Sequence, residues 1–138
     1  MEVLGDRAFD SAPGIQLALD AQPILIDASA VLRSGEELNF SARIPTLEIA
    51  TCIKVMSYRS RLKEQDLFDL YYLLKIVESH GPEEVGGWRL SEPAKATRFD
   101  AQRAFAEVKS GLSRKTSLTD EINRQELSAL ISKWIQLP

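Results

Sequence analysis

The sequence is poor in the residues that build disulfides and soft-metal sites. Its 138 residues include one cysteine, Cys52, and one histidine, His80. A single cysteine cannot form an internal disulfide, which fits a reducing compartment. One cysteine and one histidine are also too few for a zinc site. We therefore expect no metal site of this kind, and we interpret Cys52 as a small buried apolar residue.

Long apolar runs are missing as well. No stretch approaches the roughly 20 apolar residues that a membrane-spanning helix needs. The acidic first residues lack the apolar core of a secretory signal peptide. We therefore predict a cytoplasmic protein without a membrane partner.

No excess of positive charge is present. Lysine and arginine number 17 against 20 aspartates and glutamates, giving a net charge of −3. Nucleic-acid binding is not expected from this balance. Residues 58–63 do contain three cations, Arg59, Arg61 and Lys63, and Lys54 lies just before them. This run is either the end of a helix, where cations are favourable, or a local patch that contacts nucleic acid.

The first third of the chain has the pattern of strands. Residues 15–19 alternate weakly, residues 23–26 form an apolar run, and residues 38–44 alternate between apolar and polar side chains. A turn at residues 33–36 predicts a hairpin. Asp27, which ends the apolar run, is expected in a turn.

The rest of the chain has the pattern of about four helices. The first contains Pro45 in its opening turn, and the second runs from about Lys63 to His80 before the stop signal Gly81-Pro82. A third begins at residues 91–93, followed by a polar link at residues 110–116, and a fourth begins near residues 117–119. We predict an α+β fold in a single domain, residues 1–138, with a β part at 1–44 and a helical part at 45–138.

The chemistry-bearing residues lie on the first two helices. Asp66 and Asp69 are three residues apart and share a helix face. If the two helices pack antiparallel, Lys54, Arg59 and Asp66 converge. The alternative is structural: Asp66 favours the first turn of its helix, and Asp69 pairs with an arginine.

These residues form a recognisable order of motifs. Ile-Pro-x-Leu at residues 44–47 precedes a helix with an internal lysine and a following arginine, and Lys-x-x-Asp-x-x-Asp-Leu follows at residues 63–70. This order resembles nucleotidyltransferase-like proteins of the AbiEii toxin type, over residues 13–74. The resemblance implies part of a nucleotidyltransferase-like fold, which transfers a nucleoside monophosphate from a nucleoside triphosphate with Mg²⁺ held on aspartates. The substrate-contact positions that we expect are Lys54, Arg59, Lys63, Asp66 and Asp69.

The chain also departs from this family. The family's metal-binding element is a Gly-Ser pair followed by Asp-x-Asp on a strand, and the sequence contains neither. Without convergent carboxylates, two-metal phosphoryl transfer has no platform. We therefore expect the chain to correspond to the family's C-terminal half, to lack catalytic residues and to be inactive by itself. Mg²⁺ and a nucleoside triphosphate are expected as ligands only if the family function is retained.

A non-enzymatic protein-interaction module is the alternative function. An exposed strand edge or the loop around Trp88 would then contact a protein partner. We interpret Trp88 and Trp134 as residues that cover the core, and an exposed Trp88 as the alternative that this function would need.

Overall fold

The computed structural model describes residues 2–4, 7–9, 13–114 and 122–138. In this part of the chain, two antiparallel strand pairs and a short helix are followed by four longer helices, which confirms the predicted α+β order. The elements are Glu2–Leu4 (β1), Arg7–Phe9 (β2), Ile15–Asp20 (α1), Ile24–Val31 (β3), Glu37–Ile44 (β4), Leu47–Arg61 (α2), Glu64–Glu84 (α3), Ala96–Leu112 (α4) and Arg124–Trp134 (α5). β1 pairs antiparallel with β2, and β3 pairs antiparallel with β4.

The β3–β4 hairpin confirms the strand predicted at residues 38–44 and the turn at residues 33–36. The Leu32 N–H donates to the Glu36 carbonyl across a distance of 2.8 Å and closes the turn. Asp27 lies inside β3, opposite Ser41, whose hydroxyl donates to the Asp27 carboxylate at 2.8 Å. The prediction of Asp27 in a turn was therefore wrong, because a serine on the neighbouring strand satisfies its carboxylate within the sheet.

This hairpin has one apolar face. The register pairs Ile24 with Ile44 and Val31 with Glu37, so alternate residues on the two strands share a face. One of the two faces is made entirely of apolar side chains: Ile24, Ile26, Ala28, Ala30, Leu38, Phe40, Ala42 and Ile44. The five large ones are 36–51% exposed. The face is therefore open along its length, and Phe40 is its most exposed member.

Residues 15–19 form helix α1, so the strand predicted there was wrong. Gly14 opens the helix with a left-handed φ of 87°, and the Gln16 side chain donates to Asp20 one turn later at 2.7 Å. Leu17 packs against the core, whereas Leu19 is exposed. Three apolar residues at alternate positions also fit one or two helical turns, so the pattern alone does not distinguish strand from helix.

The starts of two predicted helices shift in the structure. Pro45 precedes α2 and does not lie in its first turn, because Thr46 is the N-cap and its hydroxyl accepts from the Ile49 N–H at 3.4 Å. The third predicted helix starts at Ala96 and not at residues 91–93. The buried Gln102 amide donates to backbone carbonyls at Leu90 and Glu92, at 3.0 and 2.7 Å, and thereby holds residues 90–92 in a turn.

The ends of the later helices also differ from the prediction. Gly81 breaks α3 with φ 80° and ψ 162°, as the Gly-Pro signal predicted, but one more helical turn follows to Glu84. α4 continues through Gly111, which the sequence pattern had assigned to a link. In the described residues the last helix begins at Arg124, with the Asn123 side chain accepting from the backbone N–H groups of residues 125 and 126. The start predicted near residues 117–119 lies outside the described residues.

The core lies among α2, α3, α4 and α5. Cys52 is fully buried, as predicted. Trp88 is 6% exposed and donates its indole N–H to the Trp134 carbonyl at 2.8 Å, so it covers the core and is not an exposed contact residue. The largest fully buried apolar side chains are Phe105, Leu67, Leu70, Leu74, Leu90, Leu127 and Ile131. Within the described ranges, no helix combines the length and apolar character needed to cross a membrane.

Truncating Leu74 should test the position of this core. Leu74 is fully buried on α3, so Leu74→Ala is expected to lower the free energy of unfolding by about 2–5 kcal/mol, as measured by urea denaturation. Leu25 is 69% exposed on the hairpin, and Leu25→Ala should change stability by less than about 0.5 kcal/mol. Equal losses of unfolding free energy in the two variants would show that Leu74 does not lie in the core.

Candidate substrate-contact site

The link between α2 and α3 turns the chain back on itself within two residues. Leu62 caps α2 in the left-handed conformation with φ 53°, and its N–H donates to the Tyr58 carbonyl at 2.7 Å. Lys63 follows in extended conformation, and α3 begins at Glu64. This tight connection places the last turns of α2 beside the first turns of α3.

The structure brings three of the predicted site residues together at this corner. The Lys54 amine lies 2.8 Å from Asp69 Oδ2 and 3.4 Å from Asp66 Oδ1. The Gln65 amide also donates to Asp69, at 3.3 Å. Asp69 therefore pairs with a lysine and not with the arginine that the structural alternative expected.

Arg61 completes this group, although it was not among the site residues predicted from the sequence. Its Nη2 atom lies 2.7 and 2.8 Å from the two oxygens of Asp66. We call Lys54, Arg61, Asp66 and Asp69 the Lys54 cluster. Arg61 follows Lys54 by seven residues, about two helical turns, which puts both side chains on one face of α2. That spacing is the sequence signal that identifies Arg61.

Two predicted positions lie outside the Lys54 cluster. Arg59 turns toward α4, and its Nε atom lies 3.3 Å from Glu107 Oε2. Arg59 follows Lys54 by five residues, which corresponds to a rotation of about 140° around the helix. The two side chains therefore point in different directions. Lys63 is exposed, and in the described part of the chain its side chain makes no ion pair with the cluster. Lys54, Arg59 and Arg61 are therefore each paired with a carboxylate, and the cations of residues 54–63 do not form one basic patch.

The electrostatics of the Lys54 cluster are balanced. The Asp66 side chain is only 3% exposed, and a buried carboxylate is stable as an anion when cations and hydrogen bonds compensate its lost hydration. The hydrogen bond to Asp69 raises the pKa of Lys54 above its ordinary value. The same bond lowers the pKa of Asp69. The cluster thus contains a protonated amine, one guanidinium and two carboxylates.

The Lys54 cluster leaves hydrogen-bond donors for a ligand. A lysine ammonium has three N–H donors, and two of them face Asp66 and Asp69. The Lys54 side chain is 30% exposed and that of Arg61 is 50% exposed. The donors of Lys54 and Arg61 that contact no residue in the described part of the chain can therefore bind an oxyanion at the surface.

The same geometry does not fit the Mg²⁺ ion that the family resemblance implies. Asp66 and Asp69 already share their oxygens with Lys54 and Arg61. Among the described residues, no three His, Cys, Asp or Glu side chains converge as metal ligands. The described carboxylates therefore do not provide a platform for two-metal chemistry.

Cys52 and His80 do not add a nucleophile to this site. Burial, followed by the neighbouring Glu48 carboxylate, raises the pKa of the Cys52 thiol to about 12. A thiol in that environment stays protonated and unreactive near neutral pH. His80 lies at the other end of α3, with its Nδ1 atom 3.1 Å from Glu84 Oε2.

The carboxyl titration of Asp69 should report its contact with Lys54. In Lys54→Met the pKa of Asp69 is expected to rise toward its ordinary value, as followed by carboxyl carbon NMR, because the amine that lowers it is gone. The stability that the pair contributes is present above the unfolded-state pKa of Asp69 and is lost as pH falls through the folded-state pKa. On the Lys54 side, whose pKa is raised, the contribution is lost as pH rises through the folded-state pKa.

Lys133→Met is the matched control for this titration, since Lys133 pairs with Glu78 at 2.9 Å in another part of the molecule. It should leave the pKa of Asp69 unchanged. An Asp69 titration that is identical in wild type and Lys54→Met would show that the two side chains do not interact in solution.

Comparisons with known proteins give no match for this chain among protein-family models, curated proteins or solved structures.

Proposed function

We propose that this chain is a nucleotidyltransferase-like protein whose α2–α3 corner binds the phosphates of a nucleoside triphosphate. The observation that carries the proposal is the Lys54 amine, which Asp66 and Asp69 hold at a partly exposed corner. The order of motifs around it is the one that resembles the AbiEii type. In this proposal Lys54 and Arg61 donate to phosphate oxygens, and the aspartates orient them.

The proposal assigns no catalysis to the chain by itself. Asp66 and Asp69 are positioning residues, because their oxygens are directed at Lys54 and Arg61. Nucleotidyl transfer also needs carboxylates that hold the metal ions and an acceptor that attacks the α-phosphorus. The corner therefore serves as a substrate-binding wall, and we expect no transfer activity from the isolated chain.

Calorimetric titration with each of the four nucleoside triphosphates in the presence of Mg²⁺ tests this function. Lys54→Met should weaken binding by roughly ten- to a hundred-fold, since a charge-assisted hydrogen bond contributes about 1.5–3 kcal/mol. Lys75→Met is the control, because Lys75 is also ion-paired, with Glu126 at 2.6 Å, but lies outside the Lys54 cluster. It should leave affinity unchanged. Absence of binding for all four triphosphates would rule the proposal out.

A second candidate function, protein binding, is favoured by the apolar face of the hairpin. Five large apolar side chains on one face of a two-stranded sheet are 36–51% exposed. At the base of the hairpin this face continues into a hollow of about 480 Å³, lined mainly by apolar residues of α2 and α3. Contiguous apolar surface of this kind marks interaction sites in soluble proteins.

Replacing Leu38 and Phe40 with glutamine should test whether this face is accessible. The double variant is expected to keep the wild-type unfolding midpoint, because both side chains are about half exposed, and to reduce the fluorescence of a bound hydrophobic dye several-fold. Leu62→Gln, at an exposed apolar residue away from the hairpin, is the control and should have little effect on the dye. Unchanged dye binding in the double variant would remove the support for this function.

A further inference from the structure

A second cluster of cations lies on a different side of α2 from the Lys54 cluster. Arg89, Lys95 and Arg98 line a hollow of about 270 Å³ together with Glu92, Pro93 and Ala94. We call this space the basic hollow. It is formed by the segment between α3 and α4 and by the first turn of α4. Arg89 and Lys95 are exposed, and they form no ion pair with any residue that the structure describes.

Buried polar side chains hold the walls of the basic hollow in place. Glu48, on the first turn of α2, is 3% exposed and accepts hydrogen bonds from the backbone N–H groups of Arg89 and Leu90. From the other side, the Gln102 amide donates to the carbonyls of Leu90 and Glu92. The backbone that carries Arg89 is thus fixed from α2 and from α4, and the hollow is formed before any ligand arrives.

Arg98 joins these walls through the same glutamate. Its Nε atom lies 2.7 Å from Glu48 Oε1. The contact uses one of the five guanidinium donors, and the side chain remains 23% exposed on the hollow. Pairing through Nε fixes the plane of the guanidinium, and its two amino groups make no hydrogen bond or ion pair with any residue that the structure describes.

The charge of the basic hollow favours an anion. Three cations line it against one carboxylate, Glu92, and the buried Glu48 compensates one of the three. One net positive charge remains, carried by flexible side chains on a fixed backbone. Guanidinium groups match the geometry of phosphate oxygens and bind them through paired donors.

We propose that the basic hollow binds a phosphate group, with Arg89, Lys95 and the amino groups of Arg98 as donors. The phosphate belongs either to a free phosphate or mononucleotide or to the backbone of a nucleic acid. The site is independent of the proposed function. Glu48 and Lys54 are six residues apart on α2, about 9 Å along the axis and about 240° around it, so the two clusters face different directions.

Titration with inorganic phosphate, followed in ¹H–¹⁵N NMR spectra at constant ionic strength, tests the proposal on the full chain. We expect saturable shifts of the backbone N–H signals of residues 89 and 95–98. Arg89→Gln combined with Lys95→Gln should weaken binding at least roughly ten-fold, because two charged donors are lost. Both side chains are exposed, so the fold should be retained, and circular dichroism checks this.

Arg103→Gln is the control for a general effect of charge, since it removes one positive charge from an exposed position of α4 outside the hollow. It should leave phosphate binding unchanged. The test is separate from that of the proposed function, because the signals that are followed belong to the basic hollow and not to the Lys54 cluster. Shifts that sodium chloride reproduces, or that Arg103→Gln reduces as much as the double variant does, would overturn the proposal.

Two further titrations identify the source of the phosphate. Adenosine monophosphate and a short single-stranded RNA are compared by affinity per phosphate. Tighter binding of the mononucleotide supports a free phosphate or nucleotide, and tighter binding of the RNA supports a nucleic-acid backbone. Failure of both to compete with inorganic phosphate for residues 95–98 would overturn the assignment of the hollow to a phosphate group.

Discussion

The buried carboxylate of Asp66 constrains the geometry of the whole corner. The Asp66 side chain is 3% exposed, so its carboxylate has lost most of its hydration and needs polar partners within the protein. Arg61 and Lys54 replace that hydration from the neighbouring helix, at 2.7 and 3.4 Å. Removing either partner would leave charge poorly compensated at a buried position, which typically costs about 3–5 kcal/mol when the pair is fully buried. The half-exposed Arg61 moderates that cost here. The pairing of α2 with α3 is therefore set by charge as well as by the apolar residues beneath it.

A second buried carboxylate organises a different side of α2. Glu48 binds two backbone N–H groups and Arg98, so one side chain joins the start of α2 to the segment before α4 and to α4 itself. Helix α2 thus contributes to two ion-paired clusters, one on each of two different faces. One of them shapes the corner proposed to bind a triphosphate, and the other shapes the basic hollow.

The sequence predicts the elements better than it predicts their contacts. The hairpin and the helical region follow from periodicity, because the apolar face of each element repeats every two or about 3.6 residues. Helix α1 does not follow from periodicity, since three apolar residues at alternate positions fit both the strand and the helix pattern. For the Lys54 cluster, Lys54, Asp66 and Asp69 follow from spacing and motif. Arg61 joins the cluster and Arg59 does not, because the two residues lie at different angles around α2. The presence of several cations in this stretch of sequence does not by itself show which of them faces Asp66.

The partners of Glu48 show where sequence reasoning ends. The residues that it binds lie 41 to 50 positions further along the chain. No local pattern connects them, because the contact exists only after α4 has packed against α2. From the sequence, Glu48 is an acidic residue in the first turn of a helix, a position where an exposed carboxylate is equally favourable.

The open hairpin has a consequence for how the molecule fluctuates. A two-stranded sheet is marginally stable in water without a layer packed on it, and among the residues that the structure describes, the hairpin adjoins the helices at its base, at Ile24 and Ile44. Its strands can separate without disrupting the helical core. Native-state amide exchange would then divide the chain into two cooperative units, a fast-exchanging one at residues 24–44 and a slow one formed by α2 to α5. Any molecule that covers the apolar face would join the two units into one.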